Sequence, residues 1–424
     1  MPPARTPART SGSAPARPAR TCRRPAHTGD SARRSRSSRR SCRWRGSRRR
    51  SGCRPPSFGI GTPIASATLE RAVELARYEE GRAAREREPR GVDDGAATAS
   101  GTGLALGWHG AGFTGSGEAR LASVAAVELT ADGAIRLLAS STEIGQGSRT
   151  VLARIVADTL GVSEDAVEPV PLDTSLVPDT GPTVASRSTM VGGGLLARAA
   201  EHLRCDVEAR TGRPFAESYR DAAARWGALR ATERFEGFPG IEWDDATNRG
   251  DAYPAYSWTA VVARVDVDLD TGAVDVRSVV AVDDAGRIVD RVLAEGQVEG
   301  GTVQGVGYAT TEEILVEAGR YRNDRLATYV IPTALDAPRI EVDFVEAPYP
   351  DVPHGAKGLG ERPLDAIAPA IVDAIHDATG AWIHELPASP ERVLAAIEAA
   401  AARAAGTEAD PLAGVAPGSV EAIR

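Results

Sequence analysis

Residues 355–363 read GAKGLGERP, and Lys357 is the only lysine in a chain of 424 residues. Arginine supplies the positive charge everywhere else. Glu361 ends this glycine-rich run just before Pro363, and Gly358 and Gly360 leave room around it. Its carboxylate can therefore project into a cavity and serve as a base, although a lone glutamate before a helix can also be an ordinary solvated side chain. Three further glycine-rich segments could do chemistry. In residues 142–148 (TEIGQGS), the glycines let a ligand approach the backbone, Gln146 adds an amide, and the following helix start offers free N–H groups to an anion. An ordinary tight strand-to-helix turn would read the same way. In residues 182–194 (PTVASRSTMVGGG), Ser186, Ser188 and Thr189 alternate with backbone amides in the manner of a phosphate cradle. Arg187 could add charge-assisted hydrogen bonds there, and a polar loop capping a helix is the plainer alternative. In residues 296–307 (GQVEGGTVQGVG), glycines recur along a predicted helix. Each costs roughly 1 kcal/mol relative to alanine, so the run implies close packing against a backbone or a bulky ligand. Its spacing is not that of a dinucleotide-binding loop.

The elements that must position these loops follow from periodicity. Leu69, Ala72, Val73, Leu75 and Ala76 make one helical face, and an acidic, glycine-rich link is expected over residues 89–100. Residues 121–129 and 134–139 flank Asp132-Gly133, a hairpin signal. A second hairpin is predicted around Asp270-Thr271-Gly272, between VVARVDVDL and VDVRSVVAV. Helices are predicted over residues 150–160, stopped by Gly161, over 364–379, stopped by Gly380, and over 390–402. Strands and helices interleave, so the fold class is α/β or α+β with two lobes, mixed sheets and one hairpin in each lobe. The expected division is 1–56, 57–250, 251–404 and a flexible end at 405–424.

Composition narrows the function classes. The net charge of −8 hides a split, because residues 1–56 hold about 17 arginines and one acid, Asp30, leaving about −24 on the remainder. That acidic body argues against a nucleic-acid enzyme. The arginine-rich stretch is nearly free of aliphatic residues, so it is expected to be disordered: a basic arm, or a spurious N-terminus. Of four cysteines only Cys205 lies outside it, which supports neither a disulfide framework nor a cysteine metal site. No apolar run suits a membrane span or a signal peptide, so a cytoplasmic protein is expected.

Taken in order, TEIGQGS, PTVASRST, GQVEGGTVQGVGY and GAKGLGERP resemble the large molybdopterin-binding subunit of the xanthine dehydrogenase and aldehyde oxidase family. The similarity runs from about residue 57 to 398 and includes DAYPAYSW (251–258) and YVIPTALDAP (329–338), which look like family core segments. The resemblance implies a molybdenum–molybdopterin cofactor, expected in its cytosine dinucleotide form, with no direct protein ligand to the metal. It implies Glu361 as the general base in hydroxylation of a purine, N-heteroaromatic or aldehyde carbon with water as oxygen source. It further implies cofactor contacts from Gln146, Gly147, Ala185, Ser186, Arg187, Ser188, Gln297, Gly358 and Gly360, with Phe113 and Thr114 where the family has a substrate-contacting Phe-Thr pair. Lys357 is expected to anchor its loop against an unidentified partner.

The chain also departs from the family pattern. There is no GGGFG-type loop and no iron–sulfur or flavin signature, so [2Fe–2S] and FAD are expected on partner subunits. The first half of the cofactor site is expected to come from a separate polypeptide, or to have been lost from an interrupted gene. The alternative from another class is a noncatalytic fragment or binding protein whose basic tail contacts nucleic acid.

Overall fold

The computed structural model describes residues 63–81 and 98–405. The arginine-rich stretch 1–56, the first part of the expected link and the chain beyond 405 lie outside the described residues. Two four-stranded sheets organise what is described.

A proline-initiated helix, α1 (Pro63–Leu75), leads to the long strand β1 (Thr98–Gly110) and a short helix, α2 (Gly117–Leu121). Residues 98–100, expected in the link, are thus the start of a strand, and Leu121, expected in one, ends a helix. The first predicted hairpin follows as β2 (Val124–Leu129) and β3 (Ile135–Leu138), closed by Gly133 at φ 85°. Helix α3 (Ser148–Leu160) then crosses to β4 (Val167–Pro169), which lies parallel to β3. Helices α4 (Gly193–Thr211) and α5 (Phe215–Trp226) lead to β5 (Leu229–Arg234), giving the order β4-β3-β2-β5. One face of this sheet is buried under the helices, with Val127, Leu129, Ile135, Leu152, Val156, Leu195, Leu203 and Phe215 in one core. The periodicity of α3 explains its place, since Leu152, Ile155, Val156 and Leu160 are all buried.

The second hairpin is β6 (Tyr256–Asp268) and β7 (Val274–Asp283). It is extended by β8 (Arg339–Phe344), parallel to β7, and by β1, antiparallel to β6 over its whole length. The expected division at residue 250 therefore does not separate the sheets, because the second lobe takes its edge strand from residues 98–110. Alternation does the packing here. Val261, Ala263, Val265 and Val267 face helices α6 (Arg291–Thr310) and α7 (Ile367–Thr379), while Ala260 and Val262 face α1. Helix α7 sits directly on β1: a Cβ at Gly101 or Gly103 would stand about 2 Å from the carbonyl oxygens of Ala374 and Ala370. Asp377 and Asp373 of α7 accept the N–H groups of Thr102 and Leu104, satisfying donors that an edge strand would leave open. A final helix, α8 (Pro390–Ala404), is capped by Ser389. Among the described residues, no helix is long and apolar enough to cross a membrane.

Candidate functional site

The lobes meet in a cleft of about 360 Å³. One wall is the turn before α3 and the loop 183–189; the other is the turn after β7, the first half of α6 and the loop 355–361. Gln146, Ser186, Ser188, Thr189, Arg287, Gln297, Gly360 and Glu361 all line it. Arg154 of α3 ties the walls together through Asp290 at 2.8 Å, the residue that also caps α6 by accepting from Leu293 N.

The loop carrying Glu361 is fixed by two buried ion pairs. Lys357 Nζ lies 2.9 Å from Asp284 Oδ2, with Lys357 6% exposed and Asp284 fully buried. Arg362 Nε lies 2.8 Å from Asp283 Oδ1, both fully buried. The acceptors are consecutive residues at the end of β7, so the strand's end holds the loop on either side of Glu361. Asp284 is thus the partner that the only lysine anchors against. A buried pair adds little net stability, but losing one partner strands a charge in the interior. Between these anchors, Gly358 O accepts from Ser257 Oγ at 3.0 Å. A Cβ on Gly358 would stand 2.5 Å from Ser186 O, so glycine is what lets the two loops touch.

Glu361 is held from three directions. Its Oε1 accepts from Ala185 N at 3.0 Å, its Oε2 lies 2.9 Å from His109 Nε2, and its own N donates to Ser186 Oγ at 2.9 Å. Ala185 and Ser186 take up φ of 56° and 51°, in the left-handed region. Side chains with a Cβ rarely adopt that conformation, and here it aims an N–H and a hydroxyl at one glutamate. His109 Nδ1 lies 3.4 Å from Asp365 Oδ2, placing the imidazole between two carboxylates. Burial alone would lower its pKa, but hydrogen bonds and charge attraction from Asp365 and Glu361 outweigh it and push His109 up to about 9.

The remaining predicted residues divide. Gln297 and Ser188 line the cleft. Gln146 also lines it, but its amide is folded on its own turn, donating to Thr142 O at 2.6 Å and accepting from Ile144 N at 2.7 Å. The helix start predicted to offer N–H groups to an anion is already filled by Glu143. Burial would raise the pKa of that carboxyl, but it accepts from Gly145, Gly147 and Arg149 N, and these bonds hold it below the usual range. Gly147 packs on Leu293 and so closes the junction of the two walls. Arg187 does not offer its charge to the cleft. It is 2% exposed, with Nε on Glu118 at 2.9 Å, Nη1 on Thr180 O and Nη2 on Ser123 Oγ, so it braces the loop from behind. Phe113 and Thr114 are not among the cleft-lining residues; Phe113 N donates to Glu118, and Thr114 Oγ1 meets Tyr253 OH at 2.7 Å.

Sequence reasoning missed His109, Asp365 and Arg287. His109 lies in the run GWHGAGFT, in which only the Phe-Thr pair draws notice. Asp365 falls four residues after Glu361, a spacing that could have marked it. Arg287 has only its place in DDAGRIVD, with nothing local to single it out.

Known proteins share this architecture. The xanthine dehydrogenase molybdenum-binding subunit of Escherichia coli O157:H7 is 34% identical over 284 residues, 62% of this chain and 37% of that protein. The solved aldehyde oxidoreductase from Desulfovibrio desulfuricans superposes with a TM-score of 0.65 at 32% identity, covering 76% of this chain and 34% of its own. That from Desulfovibrio gigas gives 0.72 at 26% identity, covering 86% and 41%. The chain spans less than half the length of the curated relatives it matches. The molybdopterin cofactor-binding domain family matches residues 71–338, which take in the turn before α3, the loop 183–189 and α6 and end short of the Glu361 loop. With well over half of its length matched by that family, the chain belongs to the molybdopterin cofactor-binding domain proteins.

Proposed function

We propose that this chain forms the cofactor-holding and proton-accepting part of a molybdenum hydroxylase, acting on a purine, N-heteroaromatic or aldehyde carbon with water as oxygen source. The observation that carries the reading is the Glu361 carboxylate, fixed at the cleft by Ala185 N and His109 on a loop that two buried ion pairs hold still. Preorganisation of that kind is what a general base requires.

The residues present fit a pterin bearing a dithiolene and a phosphate. The cleft has the size of a small-molecule site, and its donors are neutral amides and hydroxyls, with the exposed Arg287 at the rim for an anion. Gln146 and Gln297 would hydrogen-bond the heterocycle, the first by unfolding from its own turn. Ser186 and Ser188 would take phosphate oxygens, and Ala185 would pack beside the metal. When bound, the group supplies Lewis acidity and takes up the electron pair removed from the substrate. The chain's own part is narrower. Glu361 accepts the proton of the water-derived oxygen as it attacks carbon, and Ala185 N–H and His109 keep the acceptor oxygens in place meanwhile.

Completion by other polypeptides is part of the proposal. Relatives are named as a large chain or as one subunit of a complex, which supports partner subunits here, and [2Fe–2S] and FAD on them belong to the same proposal. A further polypeptide, or a further stretch of the same one, would close the cofactor site. The segment between α6 and β8 supports this, since it exposes Ile314, Leu326 and Leu335, the last 97% exposed, where a monomer would seldom leave so much apolar surface. The cytosine dinucleotide form of the cofactor and a cytoplasmic site belong to the same reading.

The test is metal and pterin analysis of the full chain purified with the protein that supplies the missing part of a family subunit. Molybdenum and pterin in near-stoichiometric amount support the reading. A metal-free complex that binds DNA in a salt-sensitive way would instead favour a basic-tailed binding protein.

A further inference from the structure

Nothing in the fold of β1 requires a histidine at position 109. Its neighbours are Gly107, Trp108 and Gly110, and the strand's backbone pairs with β6 whatever the side chain. The ring nevertheless stands in line with two carboxylates, 2.9 Å from Glu361 and 3.4 Å from Asp365, and is only 20% exposed. Glu361 and Asp365 are four residues apart on the turn that leads into α7, a spacing at which like charges repel. A cation between them removes that repulsion and gives each a partner.

The buried charged groups nearby are committed elsewhere. Lys357 and Arg362, on the same segment as Glu361, are turned to Asp284 and Asp283. Arg187, from the loop that supplies Ala185, is turned to Glu118. Arg287, from the turn after β7, lines the same cleft and is exposed to solvent there. From β6, the residue opposite His109 is the uncharged Ser257. The ring is therefore the half-buried cation held directly against Glu361.

We propose that His109 is a positioning residue for the base: backed by Asp365, it holds the Glu361 carboxylate ionised and aimed across the cleft. This rests on Glu361 being the proton acceptor, and it adds a reason why that acceptor has one orientation. One carboxylate oxygen is fixed by a backbone N–H, the other by an imidazolium that is itself fixed from behind. The elevated pKa of His109 agrees with the geometry, because a ring between two carboxylates keeps its proton through the neutral range.

The first experiment needs no cofactor. The full chain, labelled at histidine Cε1, has six histidines to follow by NMR through a pH titration, and loss of a signal in His109→Gln assigns the one in question. Its midpoint is expected near 9, and is expected to fall toward 6.5 in Glu361→Gln and in Asp365→Asn. A midpoint near 6.5 in the wild type, or one that neither variant moves, overturns the proposal whatever the enzyme's activity. The second experiment uses the metal-loaded complex. In His109→Gln, kcat should drop on the order of ten- to hundredfold with a smaller change in KM, and the acid limb of the pH profile should move to higher pH. An unchanged acid limb would also overturn it. Failure of the underlying functional reading shows separately, as turnover that survives Glu361→Ala.

Discussion

At the scale of single residues, the groups that matter most have their chemistry set by distant neighbours. The pKa of His109 is raised on folding, so its contribution to stability is fully present below 6.5 and is lost as pH rises through about 9. Thermal melts should therefore show the wild type losing stability between those values by more than His109→Gln does; parallel curves would contradict this. His354 does not confuse the comparison, because burial lowers its pKa and its effect falls on the acid side. The Glu361 loop was legible in sequence because glycines, a proline and an isolated lysine mark it locally. His109 was not, because it has meaning only when β1 lies beside a turn far along the chain. Arg187 misled for the same reason. A cation among hydroxyls looks like an anion site until Glu118, Thr180 and Ser123 are seen to absorb its donors.

At the scale of elements, the loops work because strands and helices hold them from opposite sides. Lys357→Met removes the partner of a fully buried aspartate and should lower unfolding free energy by about 3–5 kcal/mol, measured by denaturant titration. A loss below about 1 kcal/mol would mean that Asp284 is accommodated without it. Helix α6 offers a paired test of why its glycines are there. A Cβ at Gly305 would lie 2.5 Å from Ile367 Cβ, whereas at Gly300 it would meet nothing within 4 Å. Gly305→Ala should destabilise by about 1–3 kcal/mol through overpacking. Gly300→Ala should instead stabilise by up to about 1 kcal/mol through helix propensity. Equal effects at both sites would refute the packing explanation. The two hairpins and the helix before Gly161 could be read from turn residues and periodicity. The pairing of β1 with β6 could not, since the alternation of small Gly103, Ala105 and Gly107 with Leu104, Leu106 and Trp108 marks a strand and its faces but not which strand lies beside it.

At the scale of the whole molecule, two lobes with separate cores meet along one cleft, and both contribute residues to its lining. The first lobe gives hydroxyls and backbone amides, and the second gives Gln297, Arg287 and the base. Family membership follows from residues 71–338, while the base proposed from the resemblance of the 355–363 loop lies beyond that span, where its hold by Ala185 N and His109 supports it. The most direct measurement is therefore made on Glu361 itself, in the assembled, metal-loaded complex. Glu361→Gln should keep its molybdenum and its melting temperature while kcat falls by at least about 10²-fold, the lower range for a positioned base. Metal-replete Glu361→Gln enzyme that turns over at close to the wild-type rate would contradict the account.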